Sequence, residues 1–251
     1  MASSSSGNAY IVSDKDTRIL LECGVTHKSL QKLTGFSLSE IQGVLVSHEH
    51  KDHSKAVAEL IKRGMDVYMS QGTAQALWGK EVCDDDNPSV SCADSSLCTR
   101  EPCMDAVKLI ENMDQFNVGS FDIVPFTTFH DAREPLGFLI KSRVDGDVLA
   151  FATDTVNLRY KFPGLNILAI EANYDKHILE RSSRPDKLKQ RIVNAHMEID
   201  TLCDYLRSLD LSKCREIHLL HLSEAVSHER HFINKVARAV PPGIEITACE
   251  K

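Results

Sequence analysis

Aromatic residues, positive charge and long apolar runs are all in short supply in this sequence. Aromatics make up 6% of its 251 residues, with one tryptophan, so stacking platforms for single-stranded bases are sparse, and Tyr160, Phe162 and Tyr174 are the candidates. Lys and Arg total 29 against 36 Asp and Glu, a net charge of −7. That balance argues against a protein that coats nucleic acid non-specifically. It does not argue against a nuclease, because bound divalent metals supply positive charge where a phosphate must sit. No apolar run is long enough to span a bilayer. The opening Met1–Asn8 has neither a basic nor an apolar stretch and is not read as a secretory signal. A cytoplasmic location is expected, and the eight cysteines then read as thiols or metal ligands rather than disulfides. A tight two-residue cysteine knuckle is missing too. Cys83, Cys92, Cys98 and Cys103 are separated by eight, five and four residues, which favours free thiols over a structural metal. Cys23, Cys203, Cys214 and Cys249 read as small core residues.

What remains is an ordinary apolar content and enough length for a full core. Short apolar runs predict strands at Ala9–Val12, Arg18–Leu21, Val44–Val46, Asp66–Met69, Phe121–Pro125, Phe138–Lys141, Val148–Thr153, Ile167–Glu171, Glu216–Leu220 and Ile244–Ala248. Helical spacing marks Lys55–Arg63, Thr73–Trp78, Lys187–Leu209 (as one or two helices) and Glu229–Ala239. Glu81–Met104 is polar, carries four cysteines and reads as an inserted loop. There is no internal repeat and no linker, so a single domain over 1–251 is expected. Runs of strands with helices between some of them suit an α/β sandwich.

The strongest pattern is His48-x-His50-x-Asp52-His53, three imidazoles and a carboxylate within six residues directly after a predicted strand. Imidazole with carboxylate suits zinc and similar first-row ions. A loop leaving a strand can turn residues i and i+2 toward one ion and the Asp-His pair toward another. Further ligand types stand at later strand ends: His130, Asp154 and His221. His218 competes with His221 but lies three residues earlier, so an extended strand points it to the opposite face.

Together these motifs resemble the metallo-β-lactamase superfamily over nearly the whole chain, Glu81–Met104 excepted. The resemblance implies a four-layer αββα sandwich with metals at one edge. It implies His48, His50 and His130 as ligands of a first divalent ion and Asp52, His53 and His221 as ligands of a second, with Asp154 bridging. Zinc is the leading expectation, with manganese or iron compatible. One departure is Glu22-Cys23-Gly24, where the family usually has Asp before the small residue and Gly. The longer Glu22 alters how the ligand loop is supported.

The superfamily hydrolyses several bond types, so the fold alone does not choose. Ile170-Glu171-Ala172-Asn173 and Asn194-Ala195-His196 are similar to the Glu and His segments of RNase Z-like phosphodiesterases. In that resemblance Glu171 holds His196, which contacts the scissile phosphate and protonates the leaving oxygen. The Ser3–Asn8 opening, Ser47–Ala56 and Leu220–Ser223 are similar to the YycJ/WalJ-like branch, linked to DNA exonuclease activity, in which the opening segment is part of the fold. The expected reaction is phosphodiester cleavage by a metal-held hydroxide that Asp52 positions and deprotonates. The basic run Lys176, Arg181, Arg184, Lys187, Lys189 and Arg191 could meet a phosphate backbone or form a solvated helix face. The expected partner is a nucleic acid or a small, for instance cyclic, nucleotide; a thioesterase or lactonase is the alternative outside phosphodiesters. No membrane partner is expected, and a homodimer is left open.

Overall fold

A computed structural model describes residues 3, 7–79 and 104–249. The cysteines Cys83, Cys92, Cys98 and Cys103 lie outside the described residues. The first half of the chain builds a five-stranded sheet from β1 (Tyr10–Ser13), β2 (Arg18–Leu21), β3 (Val44–Leu45), β4 (Val67–Met69) and β5 (Val107–Leu109), in that spatial order. The β1–β2 pair is antiparallel and the rest parallel. Its helices are α1 (His27–Leu33), α2 (Lys51–Ser54), α3 (Val57–Lys62) and α4 (Gln71–Trp78).

The second sheet holds β6 (Phe116–Val118), β7 (Phe121–Thr127), β8 (Leu136–Ser142), β9 (Val148–Ala152), β10 (Ile167–Glu171), β11 (Glu216–Leu220) and β12 (Glu245–Ala248). Their spatial order is β12-β11-β10-β9-β8-β7-β6. Helices α5 (Lys176–Arg181), α6 (Asp186–Ala195), α7 (Ile199–Arg207) and α8 (Glu229–Ala237) complete the chain.

Two-residue alternation sorts the side chains into layers. Ile19 and Leu21 enter a central cluster between the sheets, while Leu20 joins Leu30, Leu60 and Ile61 on the helix-covered face. On the other sheet Ala169 and Leu220 face the centre. Leu168, Ile170, Ile217 and Leu219 face Leu202, Leu206, Phe232 and Val236. The result is the expected αββα sandwich.

Strand direction then sets the functional edge. β9, β10 and β11 run parallel. β7 runs the same way, because two antiparallel steps through β8 restore the direction. The residues that follow their C-terminal ends therefore gather at one rim of the sandwich. A bond from Leu136 N to Ser47 O, 3.0 Å, ties the second sheet to the loop after β3 at that rim.

Several elements differ from the sequence expectation. Strand β7 continues past Pro125 to Thr127. Proline is tolerated there because β6 pairs only as far as Ile123, so the missing N–H faces no partner strand. Lys187–Leu209 divides into α6 and α7 at His196–Glu198. The single-turn α2, the short α1 and α5, and the three-residue β5 and β6 have no periodic signal of useful length.

Candidate metal centre

His48 and His50 leave β3 in a short loop, and His50 stands at the N-cap position of α2, whose single turn carries Asp52 and His53. The Ser54 hydroxyl donates to the carbonyls of Glu49 and His50, at 2.8 and 3.0 Å, and pins that turn. Asp52 and His53 thus project from a helical turn rather than from an irregular loop. Beneath them runs Gly24, where a Cβ would come within 1.6 Å of Asp52 O. Only glycine permits that approach of two backbones.

All seven predicted ligands converge. His48 Nε2 and His130 Nε2 each lie 3.2 Å from His50 Nδ1. The far nitrogen fixes the tautomer of His130, whose partner is a carbonyl. His130 Nδ1 donates to Ala195 O at 2.7 Å, and His48 Nδ1 meets the Ser47 hydroxyl at 2.8 Å. Burial, followed by the proximity of His53, pushes the His48 imidazole well below its usual pKa, so it is neutral. His130 Nε2 and His48 Nε2 therefore point into the same small space as His50 Nδ1. A tetrahedral zinc with bonds of about 2.0–2.1 Å sets its ligand nitrogens about 3.3 Å apart. The triad fits that edge, and a cation relieves the repulsion between facing lone pairs.

Beside it, Asp52 Oδ2 lies 3.5 Å from His53 Nε2 and 3.6 Å from His221 Nε2. Asp154 Oδ2 stands between the two groups, 3.5 Å from both His53 Nε2 and His130 Nε2 and 3.9 Å from His48 Nε2. His221 Nε2 is buried with no hydrogen-bond partner among the described residues, as expected of a nitrogen whose lone pair is reserved for a metal. Asp154 and His221 hold φ of +41° and +52°, strained values for residues with side chains and ones that concentrate at functional sites.

Charge supports the same fit. Glu22, Asp52, Asp154 and Glu171 crowd this space, and Glu22, Asp154 and Glu171 are at most 2% exposed. Burial works against an ionised Asp52, yet the His221 and His53 imidazoles beside it hold it well below the usual carboxylate range. Burial likewise works against Asp154, and His221 and His53 outweigh it. Four buried or half-buried carboxylates call for cations, and two divalent ions bring four positive charges.

Glu171 sits under the centre as an orienting carboxylate. Its Oε1 accepts from His196 Nδ1 at 2.7 Å and from His221 Nδ1 at 3.1 Å. Its Oε2 accepts from Thr155 N and Met197 N. Burial lowers the affinity of His196 for a proton, but the Glu171 charge overcomes this and raises its pKa. The His196 side chain keeps 19% exposure, so its Nε2 edge is the part of the pair that a substrate can reach.

Sequence reasoning missed the full role of the opening segment and of Glu22. Asn8 N donates to Asp52 O at 2.7 Å, and its side-chain amide lies 3.1 Å from His53 Nε2. The Ser3 hydroxyl accepts from His221 N at 2.8 Å. Glu22, at φ +62°, accepts from Ser47 N at 3.3 Å and stands 3.6 Å from His53 Nδ1, so the longer side chain still reaches the ligand loop. His218 lies outside the cluster, bonded to Thr247 and Glu216. The aromatic candidates are packed away: Tyr174 and Phe162 are buried, and Tyr160 leans on Phe126 at 5.2 Å.

Residues 17–221 match the family model described as a β-lactamase superfamily domain. The chain belongs to the metallo-β-lactamase superfamily. As a superfamily member it is a hydrolase of that fold with a His/Asp centre suited to divalent metals. It is 27% identical over 254 residues to the exodeoxyribonuclease WalJ of Streptococcus pneumoniae, covering 95% of this chain and 87% of the relative. It is 25% identical over 236 residues to the exodeoxyribonuclease YycJ of Bacillus anthracis, covering 89% and 81%. In fold it is similar to the metallo-β-lactamase-fold protein YhfI of Bacillus subtilis, with a TM-score of 0.64, 14% identity and coverage of 98% and 89%. No helix among the described residues is long and apolar enough to cross a membrane.

Proposed function

We propose that this chain is a dinuclear metal-dependent phosphodiesterase that cleaves nucleic acid, in the manner named for its exodeoxyribonuclease relatives. The observation that carries this reading is the Glu171–His196 pair at 2.7 Å on the rim of a two-site cluster. A β-lactam, thioester or lactone hydrolase has no evident use for a second carboxylate-held imidazole. A phosphodiester does, because its alkoxide leaving group needs an acid.

His48, His50 and His130 would hold one ion, Asp52, His53 and His221 the other, and Asp154 both. Zinc fits this donor set best, with manganese or iron also compatible. When bound, such a pair of ions activates water and clamps the phosphate oxygens. Asp52, ionised in the folded state, accepts the proton of the attacking water. Glu171 fixes the His196 Nδ1–H, leaving Nε2 toward the substrate, and its charge keeps a second proton on the ring for the departing oxygen. Asn8, Ser47 and Glu22 hold the ligand loop in place.

The test is hydrolysis of bis-p-nitrophenyl phosphate by protein loaded with Zn2+ or Mn2+. We expect metal-dependent turnover that drops about 10²- to 10⁴-fold in His196→Ala with metal content unchanged, and that is lost in Asp52→Ala. Absence of turnover with two metals bound per chain would remove the phosphodiesterase reading and leave thioesters and lactones. A steep fall in substrate affinity with added salt marks a polymer substrate, and a shallow one a small nucleotide.

A further inference from the structure

Of the nine phenylalanines, the exposed ones are Phe36, at 75%, and Phe129, at 36%. Phe36 follows α1. Phe129 immediately precedes the metal-ligand candidate His130, and its Cα lies about 3.8 Å from that of His130. Its backbone is fixed on both sides: Phe129 N donates to Thr155 Oγ1 at 3.0 Å, and Val156 N donates to Phe129 O at 2.9 Å. Thr155 in turn follows Asp154. The ring is therefore exposed yet held rigidly beside two candidate ligands. The His130 ring joins the ligand cluster, while the neighbouring Phe129 ring keeps 36% of its surface open.

A cation lies over this ring. The Arg159 guanidinium carbon is 4.8 Å from the Phe129 centroid. Arg159 is exposed, and no carboxylate pairs with it among the described residues. By contrast Arg191, the basic residue nearest the rim on α6, is paired with Asp131 at 3.3 Å. An exposed ring with an unpaired guanidinium combines the two elements used for single-stranded nucleic acid, a π-face for a base and a charge for the adjoining phosphate.

We propose that Phe129 and Arg159 form a subsite that stacks one base of a single-stranded nucleic acid flanking the scissile phosphate. This rests on the phosphodiesterase reading above and adds the recognition element. A phenyl face takes any base, so the subsite favours single strands without reading sequence. The guanidinium leaves the ring, or slides along it, to meet the phosphate of the stacked nucleotide.

The experiment uses metal-loaded protein and two fluorescein-labelled phosphorothioate strands of equal length, one of thymidines and one abasic, read by anisotropy. We expect the wild type to bind the thymidine strand more tightly. Phe129→Ala should weaken that strand about tenfold, the scale of one stacked base, and leave the abasic strand unchanged. Phe129→Leu, which keeps apolar bulk without a π-face, should behave as Phe129→Ala does, and Phe129→Trp should restore binding. Far-ultraviolet circular dichroism should be the same in every variant, so that weakened binding is not loss of fold. Equal binding of both strands by the wild type, or equal weakening of both by Phe129→Ala, would overturn the subsite. Loss of wild-type bis-p-nitrophenyl phosphate turnover alone would instead overturn the phosphodiesterase reading, so the two failures are distinguishable.

Discussion

At the residue scale, a carboxylate does different work according to which donors meet it. At the centre, Asp52 and Asp154 keep their charge by facing imidazoles. Far from it, Asp14 keeps its charge through neutral donors. Burial pushes the Asp14 carboxyl up, but Ser120, Asp16 N, Ser142 and Thr17 N outweigh that and bring it from 3.8 down to about 2. A folded pKa below the unfolded one contributes stability above the unfolded value and loses it as pH falls through the folded value. The gap in urea midpoint between the wild type and Asp14→Asn should therefore be wide at about pH 5 and close between about pH 4 and about pH 2. A gap independent of pH over that window would mean that the Asp14 hydrogen bonds are unrelated to its charge. The ligand types were legible from single residues because few side chains can bind a metal, and several of them stood together in His48–His53. Phe129 was not legible: a lone phenylalanine after a β-strand looks like core until its exposure and Arg159 are seen.

At the element scale, the centre depends on where strands stop. β3, β7, β9 and β11 each end just before a site residue and β10 ends on one, Glu171, and the sequence marked those ends by apolar runs giving way to polar residues. The single turn of α2 was hidden because four residues cannot display a helical period. What fixes α2 is the backbone of Gly24 beneath it. Gly24→Ala would place a methyl 1.6 Å from Asp52 O, so α2 must lift and carry Asp52 and His53 with it. We expect the variant to remain folded by far-ultraviolet circular dichroism while bound metal, measured by plasma emission, falls below about two ions per chain, because Asp52 and His53 move with the turn that His50 caps. Retention of both ions would show that the loop absorbs the methyl. The basic run Lys176–Arg191 spreads over α5 and α6, and its nearest member, Arg191, is tied to Asp131. Its pairing could not be read from sequence, because Asp131 lies 60 residues away.

At the scale of the whole molecule, the two sheets and their helices supply three apolar clusters that hold the layers, while the rim carries a concentration of negative charge. Removing metal leaves Glu22, Asp52, Asp154 and Glu171 facing one another. Chelation should lower the melting temperature by roughly 5–10 °C, taking about 2.7 kcal/mol of linkage at a hundredfold excess over Kd and about 2–4 °C per kcal/mol for a chain of this size. Calorimetry with and without EDTA checks this, and an unchanged melting temperature would mean that the carboxylates are balanced by protons alone. The layer architecture was legible from alternation along strands. The approach of Ser3 and Asn8 to His221 and His53 was legible only by resemblance, since no local pattern links residues 218 and 45 positions apart.

That last contact has a consequence for how the protein is made. A ribosome delivers His48, His50, Asp52 and His53 early, His130 and Asp154 later, and His221 near the end, where its N–H must still find the Ser3 hydroxyl. Until His221 arrives, the emerging chain carries the four candidate ligands of the His48–His53 segment without the closed cluster. Closure of the candidate centre is thus a late event in synthesis, completed when the final strands dock against the opening residues.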